Sequence, residues 1–391
     1  MRTTIISPVG QNKRIVIVDI LRGWALLGVV LMNYDIIFSF VGSKPNPDAF
    51  NNFLIGFNNV VFESKSWTML SFLFGYGFAV LIENVASKRI NPVRFFLGRM
   101  FWLLVIAVIN SAVWFGDILK DYAVLGMLLL VFRNVSAKTA FYISLALLLV
   151  NPALTAFFLS LKISGFALAA PYFPLYHSHN LFDVLKSGLI CTYRFEILSP
   201  VNSIVFPEVV LLCFLLGLAA HKINFFGRLA ENKKYIKRAF WTSLGLTLMS
   251  WVPFTFPQAA WLKSVFKYFM PLFWLFLSTM IFIASAICWL YLAGKLKRFF
   301  GALQLYGRMT LTNYVVQNIL GMLLFSGFGL GLVMHHLSYG VFMLIALAIY
   351  VAQMYFSKWW LSRYYYGPLE WLWRQLSYGK KLPIKRVRDL E

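Results

Sequence analysis

Arg22 and Asn33 stand eleven residues apart in DILRGWALLGVVLMNYD (19–35), a stretch otherwise apolar enough to enter a membrane. At 100° per residue, eleven residues return to within about 20° of the start, so the two side chains share one helix face. They are separated by roughly 16 Å along the axis. Asp19 is placed at i,i+3 to pair with Arg22, while Asp35 points almost the opposite way, toward an interface. A polar stripe of this kind faces a bundle interior or a watery cavity, because charge and amide groups are costly in hydrocarbon. A guanidinium there can attract an anionic ligand, and an amide can donate to an oxygen on which charge develops. The plainer reading is an ion pair anchoring the helix end, with Asn33 as a hydrogen-bonding contact between helices.

The same spacing recurs in RMFWLLVIAVIN (99–110), where Asn110 follows Arg99 by eleven. Both segments run in the same expected direction, and positive charge at that end has its own cause, so a true repeat does not follow. FGDILKDYAVLG (115–126) places Asp117 after a glycine at the start of an expected helix, where capping accounts for a carboxylate. Asp121, one turn deeper on the same face, has no such explanation, although Lys120 is at hand to neutralise it. Glu208 follows Pro207 at the end of an apolar run. Asn313 and Gln317, at i,i+4 in RMTLTNYVVQNILG, suit either helix–helix hydrogen bonding or a polar cavity wall. The HSH (177–179) and HH (335–336) clusters lack a supporting Cys or carboxylate pattern, so no metal is expected. GFGLG (327–331) has no preceding strand and no following Lys, and reads as a loop that allows close packing.

These residues need elements to hold them, and composition names the elements. Of 391 residues, 60% are hydrophobic and only 13% charged, against about half and a quarter in a soluble domain. The apolar blocks are about 20 residues long, enough to cross a bilayer as helices, and the period-2 alternation of a barrel is absent. The expected fold is an all-α polytopic bundle of about ten transmembrane helices, nine to eleven. Its spans lie near 17–41, 66–84, 95–115, 117–133, 138–161, 202–222, 240–256, 267–294, 309–327 and 339–362, followed by a basic tail over 363–391. With both termini in the cytoplasm, most of the 36 Lys and Arg fall in cytoplasmic segments, as the positive-inside rule requires. The net charge of +22 is therefore a topology signal beside anionic lipid, not a nucleic-acid footprint. The half-apolar segments 42–65 and 162–201 are expected outside, roofing a cavity, and the Trp- and Tyr-rich tail after 363 reads as an interfacial anchor. Cys191, Cys213 and Cys288 show no metal or disulfide spacing.

With these residues in view, the chain resembles the YeiB family of bacterial membrane proteins. The matching pieces are DILRGWALLGVVLMNY (19–34), ESKSWTMLSFLFGYGF (63–78), FGDILKDYAVLGMLLL (115–130), YGRMTLTNYVVQNIL (306–320), GFGLGL (327–332) and YYYGPLEWLWR (364–374). That family is in turn similar to the transmembrane acyltransferase superfamily, which includes bacterial polysaccharide O-acetylases and a lysosomal heparan glucosaminide acetyltransferase. The resemblance implies a ten-helix core with a channel in which acyl-CoA from one side meets an acceptor from the other. It implies that the Arg22–Asn33 stripe lines that channel. Many members carry His where this chain has Asn33, and YeiB-type sequences often carry His where it has Asn110. An amide accepts no proton at neutral pH, so the general base falls to Asp35, Asp117, Asp121, Glu208 or a loop His.

The reading that follows is an acyltransferase of the bacterial inner membrane. Its donor is a cytoplasmic acyl-CoA, acetyl-CoA being the simplest, held by Arg22, Arg99 and Arg308 with Asn110, Asn313 and Gln317. Asn33, Asp117, Asp121 and Glu208 are the catalytic candidates. The acceptor is a sugar, a lipid headgroup or a small amine at the outer face. Membrane lipids are the expected partners, and a homodimer is compatible with this. A transporter or lipid-handling channel, and a non-catalytic membrane protein, remain open as other readings.

Overall fold

The structure, a computed structural model, describes residues 14–40, 48–255 and 260–386. Residue 41 of the first expected span, residues 42–47 of the first outer segment, residue 256 of the seventh expected span, and residues 387–391 of the basic tail lie outside that set. Among the described residues the architecture is helical, with no strand and one isolated bridge between Tyr364 and Lys385. The helices are α1 (Val16–Phe40), α2 (Ala49–Val61), α3 (Lys65–Ala86), α4 (Pro92–Val113), α5 (Leu119–Leu129), α6 (Ala137–Ser160), α7 (Gly165–Ala169) and α8 (Leu181–Cys191). They continue with α9 (Phe206–Lys222), α10 (Lys233–Thr255), α11 (Ala260–Phe266), α12 (Leu272–Leu292), α13 (Lys297–Gly307), α14 (Thr310–Phe325), α15 (Tyr339–Arg363) and α16 (Pro368–Tyr378).

Seven helical stretches among the described residues are long and apolar enough to cross a membrane: α1, α2 continuing into α3, α4, α6, the α9 stretch from Val201, α12 and α15. The chain is a multi-pass membrane protein. Each of the ten spans expected from the sequence falls on a helix, but three fall short of that measure. α5 has 11 residues and α14 has 16, and α10 opens on Lys233, Lys234, Lys237 and Arg238.

Burial separates central from peripheral helices. The most apolar window of α1 is 72% buried within the protein, against 28% for α6, although their hydropathies are close. α6 turns Phe141, Leu149 and Val150 outward, as lipid-facing residues must. α1 can sit at the centre because it approaches α13 at backbone contact. A Cβ on Gly23 would strike the Leu303 carbonyl, and one on Gly307 would strike the carbonyl of Asp19. Small residues at such crossings let the backbones of two membrane helices meet.

The segment 162–201 folds into α7, α8 and irregular helical turns. It packs on the GFGLG loop: the Gly327 N–H donates to the Tyr176 carbonyl at 3.0 Å, and His179 Nδ1 lies 2.8 Å from the Gly327 carbonyl. A side chain at Gly327 would collide with the His177 carbonyl. α2 is amphipathic, with Phe50, Phe53 and Phe57 exposed, while the buried Asn51 accepts from the Gly340 N–H of α15 at 2.9 Å.

Candidate functional site

α1 carries its polar stripe as the spacing requires. Arg22 Nη1 donates to Asp19 Oδ1 at 3.0 Å. Asn33 is 2% exposed, and its amide meets a residue absent from the sequence-derived set: Asn33 Nδ2 donates to Asn318 Oδ1 at 3.1 Å. Asn318 Nδ2 in turn donates to Asn110 Oδ1 at 3.4 Å, and Asn110 Nδ2 donates to Asp117 Oδ1 at 2.9 Å. The two Arg-to-Asn helices, α1 and α4, therefore point their amides at each other across α14. The result is one buried chain, Asn33–Asn318–Asn110–Asp117. Asn33 and Asn110 each use one amide hydrogen in this chain.

Asp117 is wholly buried. α5 starts at Leu119, one residue later than a cap at Asp117 would place it, and the Leu119 N–H donates to Asp117 Oδ1 at 3.2 Å. Tyr314 of α14 also donates its hydroxyl to Oδ1, at 2.9 Å. Oδ1 thus receives three donors, whereas Oδ2 is buried with no hydrogen-bond partner. An ionised carboxyl so placed has one oxygen saturated and the other available.

Tyr314 connects this chain to a cavity of about 910 Å³, within the range of small-molecule and cofactor sites. Its inner wall includes Tyr314, Ile118 and Tyr122; toward the start of α1 it is walled by Arg14, Arg22, Lys88, Arg99, Arg308 and Arg374. Among the described residues the carboxylates in the wall are Asp19 and Glu370, and both are engaged. Asp19 holds Arg22. Glu370 of α16 accepts the N–H groups of Leu311 and Thr312 at 2.7 and 3.1 Å, and the Thr312 hydroxyl at 2.5 Å. It thereby satisfies the open amides at the start of α14. Arg99 stacks its guanidinium on Trp373 at 3.7 Å, and Trp373 Nε1 donates to the Arg99 carbonyl at 2.8 Å. Arg308 Nε is buried without an acceptor. Burial, with Arg14 nearby, pulls the Arg308 guanidinium down to about 10. Among the described residues no carboxylate lies within 4.0 Å of Arg99 or Arg308. A wall with this excess of positive charge attracts anions.

The other sequence-derived candidates lie elsewhere. Asp121 pairs with Lys120 at 3.1 Å, and Lys120 also contacts Glu196. Glu208 accepts from Asn151 Nδ2 at 2.6 Å, on the contact between α9 and α6. Asn313 donates to the Tyr306 carbonyl and to Ser357 Oγ, each at 3.1 Å. Gln317 Nε2 donates to the Tyr306 hydroxyl at 2.6 Å and to Gln353 Oε1 at 3.1 Å. These last two bind α13, α14 and α15 together, which is the helix–helix role their spacing allowed. None of the four is part of the cavity wall. Tyr314 and Asn318 are the residues that sequence reasoning passed over. They too are an i,i+4 pair on α14, one position on from Asn313 and Gln317, and so they face a different neighbour.

Fold and site define a multi-pass helical membrane protein with a basic cavity backed by a buried amide–carboxylate chain. Residues 220–380 match a family model described as a protein of unknown function, DUF418. The chain is 27% identical to the uncharacterized protein YxaH of Bacillus subtilis, over 97% of its own length and 98% of that protein. It is 28% identical to an uncharacterized 39.9 kDa protein in the amylase 3' region of Bacillus acidopullulyticus, over 98% and 100% of the two chains. It is 40% identical to the uncharacterized protein YeiB of Escherichia coli over 76 residues, 19% of each chain. The chain is thus similar to DUF418-type proteins over its C-terminal part and to YeiB over a shorter stretch. No solved structure matches the chain significantly.

Proposed function

We propose that this protein is an acyltransferase of the bacterial inner membrane, with ten crossings and both termini in the cytoplasm. It moves an acyl group from cytoplasmic acyl-CoA to an acceptor at the outer face. The observation that carries the reading is the basic cavity ending on Tyr314, the residue that hydrogen-bonds Asp117. On this reading Arg22, Arg99 and Arg308 take the donor's phosphates, and the acyl chain lies along the apolar wall formed by Leu26, Leu70 and Leu103. Asp117 Oδ2 takes the proton of an acceptor hydroxyl or amine as that group attacks the thioester carbonyl. The carbon–sulfur bond breaks, and the leaving thiolate recovers the proton. The spare amide hydrogens of Asn33 and Asn110 suit the carbonyl oxygen as charge builds there. The acceptor class, a sugar, a lipid headgroup or a small amine, is part of the proposal.

The test is acetyl-CoA binding to detergent-purified protein by calorimetry, with longer acyl-CoAs for comparison and Arg22→Ala as the control. Saturable binding, weakened at least tenfold in the variant, is the expected result, since a charge-assisted contact contributes about 2 kcal/mol. Absence of binding by folded protein would turn the reading toward a solute-conducting channel that shares only the scaffold.

A further inference from the structure

Among the described residues, Tyr314 is the side chain that both lines the cavity and hydrogen-bonds the buried amide–carboxylate chain. It is 4% exposed, and its hydroxyl is used twice. It donates to Asp117 Oδ1 at 2.9 Å and accepts from the Ile118 N–H at 3.4 Å. One turn along α14, Asn318 ties Asn33 to Asn110. One helix face therefore sets both the carboxyl and the amides. The start of that helix is clamped by Glu370 of α16, whose Trp373 and Arg374 wall the basic end of the cavity. Three donors converge on Oδ1 and none on Oδ2, so the carboxyl is oriented rather than merely buried.

We propose that Tyr314 is the positioning residue of this site: its ring lines the cavity, and its hydroxyl holds Oδ1 so that Oδ2 alone is left to exchange a proton. This rests on the reading of Asp117 as the base, but its test does not depend on transfer activity. A carboxylate that loses one of its donors takes up a proton more readily. Apolar carbodiimides modify carboxyls in the protonated form, so their rate at Asp117 reports on the missing contact.

The experiment measures dicyclohexylcarbodiimide modification of Asp117 by peptide mass spectrometry at neutral pH. It compares the full-length protein, Tyr314→Phe and Tyr34→Phe. Tyr34 is the matched control, because it is also buried and also bonds α14, through the Gln317 carbonyl at 3.1 Å. The expected result is at least a fivefold faster modification in Tyr314→Phe, with Tyr34→Phe within twofold of the parent. Equal rates in all three proteins, or equal acceleration in both variants, would overturn the proposal. Faster modification in Tyr314→Phe by a protein that binds no acyl-CoA would uphold the positioning role and remove the acyltransferase reading instead.

Discussion

Asp117 concentrates the chemistry of this molecule in one side chain. It is ionisable, wholly buried and asymmetrically bonded, with Oδ1 shared by Asn110, Tyr314 and the Leu119 amide. Asn at this position keeps the size and an oxygen for those donors but cannot accept a proton. We expect Asp117→Asn to leave acetyl-CoA affinity within threefold while lowering transfer at least 100-fold, the ordinary contribution of a positioned base. A variant that transfers at the parent rate would move the base to Asp35, Asp121, Glu208 or a loop histidine. Arg99 differs from Arg22 in its setting. Arg22 has Asp19 beside it, whereas Arg99 is held by the face of Trp373, a partner that leaves the positive charge uncancelled.

At the scale of elements, α14 and α16 act as one unit. Glu370 reaches across from α16 to the open amides at the start of α14, and Leu369 N–H donates back to Thr312 Oγ1 at 3.0 Å. Burial pushes the Glu370 carboxyl above its ordinary value of 4.5, against the hydrogen bonds that favour its ionised form. The folded protein therefore holds this proton more tightly than the unfolded chain does. Its contribution to stability is complete below pH 4.5 and is lost as pH rises through the raised value. Thermal melts in detergent between about pH 4.5 and 8 should show the parent losing stability relative to Glu370→Gln, which cannot ionise. A constant difference between the two across that range would contradict this.

At the scale of the whole molecule, the cavity lies toward the end where α1 begins, and the segment 162–201 packs at the other. The proposed topology puts Lys88 in the cytoplasm and Asn180 outside. Single cysteines at these positions, on a background lacking Cys191, Cys213 and Cys288, test it directly. In intact cells an impermeant maleimide should label Asn180→Cys and spare Lys88→Cys, and the pattern should reverse in inside-out vesicles. Labelling of both positions from one side would break the ten-span arrangement at an odd crossing between them.

The class of molecule was legible in the chain itself. Apolar blocks of bilayer length follow from the cost of polar groups in hydrocarbon, which acts on every residue locally. The Arg22–Asn33 and Arg99–Asn110 faces were legible for the same reason, since a helix turns by a constant angle. Which amides would meet was not. Asn313 with Gln317 and Tyr314 with Asn318 have identical spacing on one helix, one position apart. Only the packing of α14 between α1, α4 and α15 sends the first pair to Tyr306, Ser357 and Gln353 and the second to Asp117, Asn33 and Asn110. Glu370 shows the same limit. Its sequence neighbours say anchor helix, while its partners lie 58 and 59 residues away. Periodicity specifies a face, and the tertiary structure decides what that face meets.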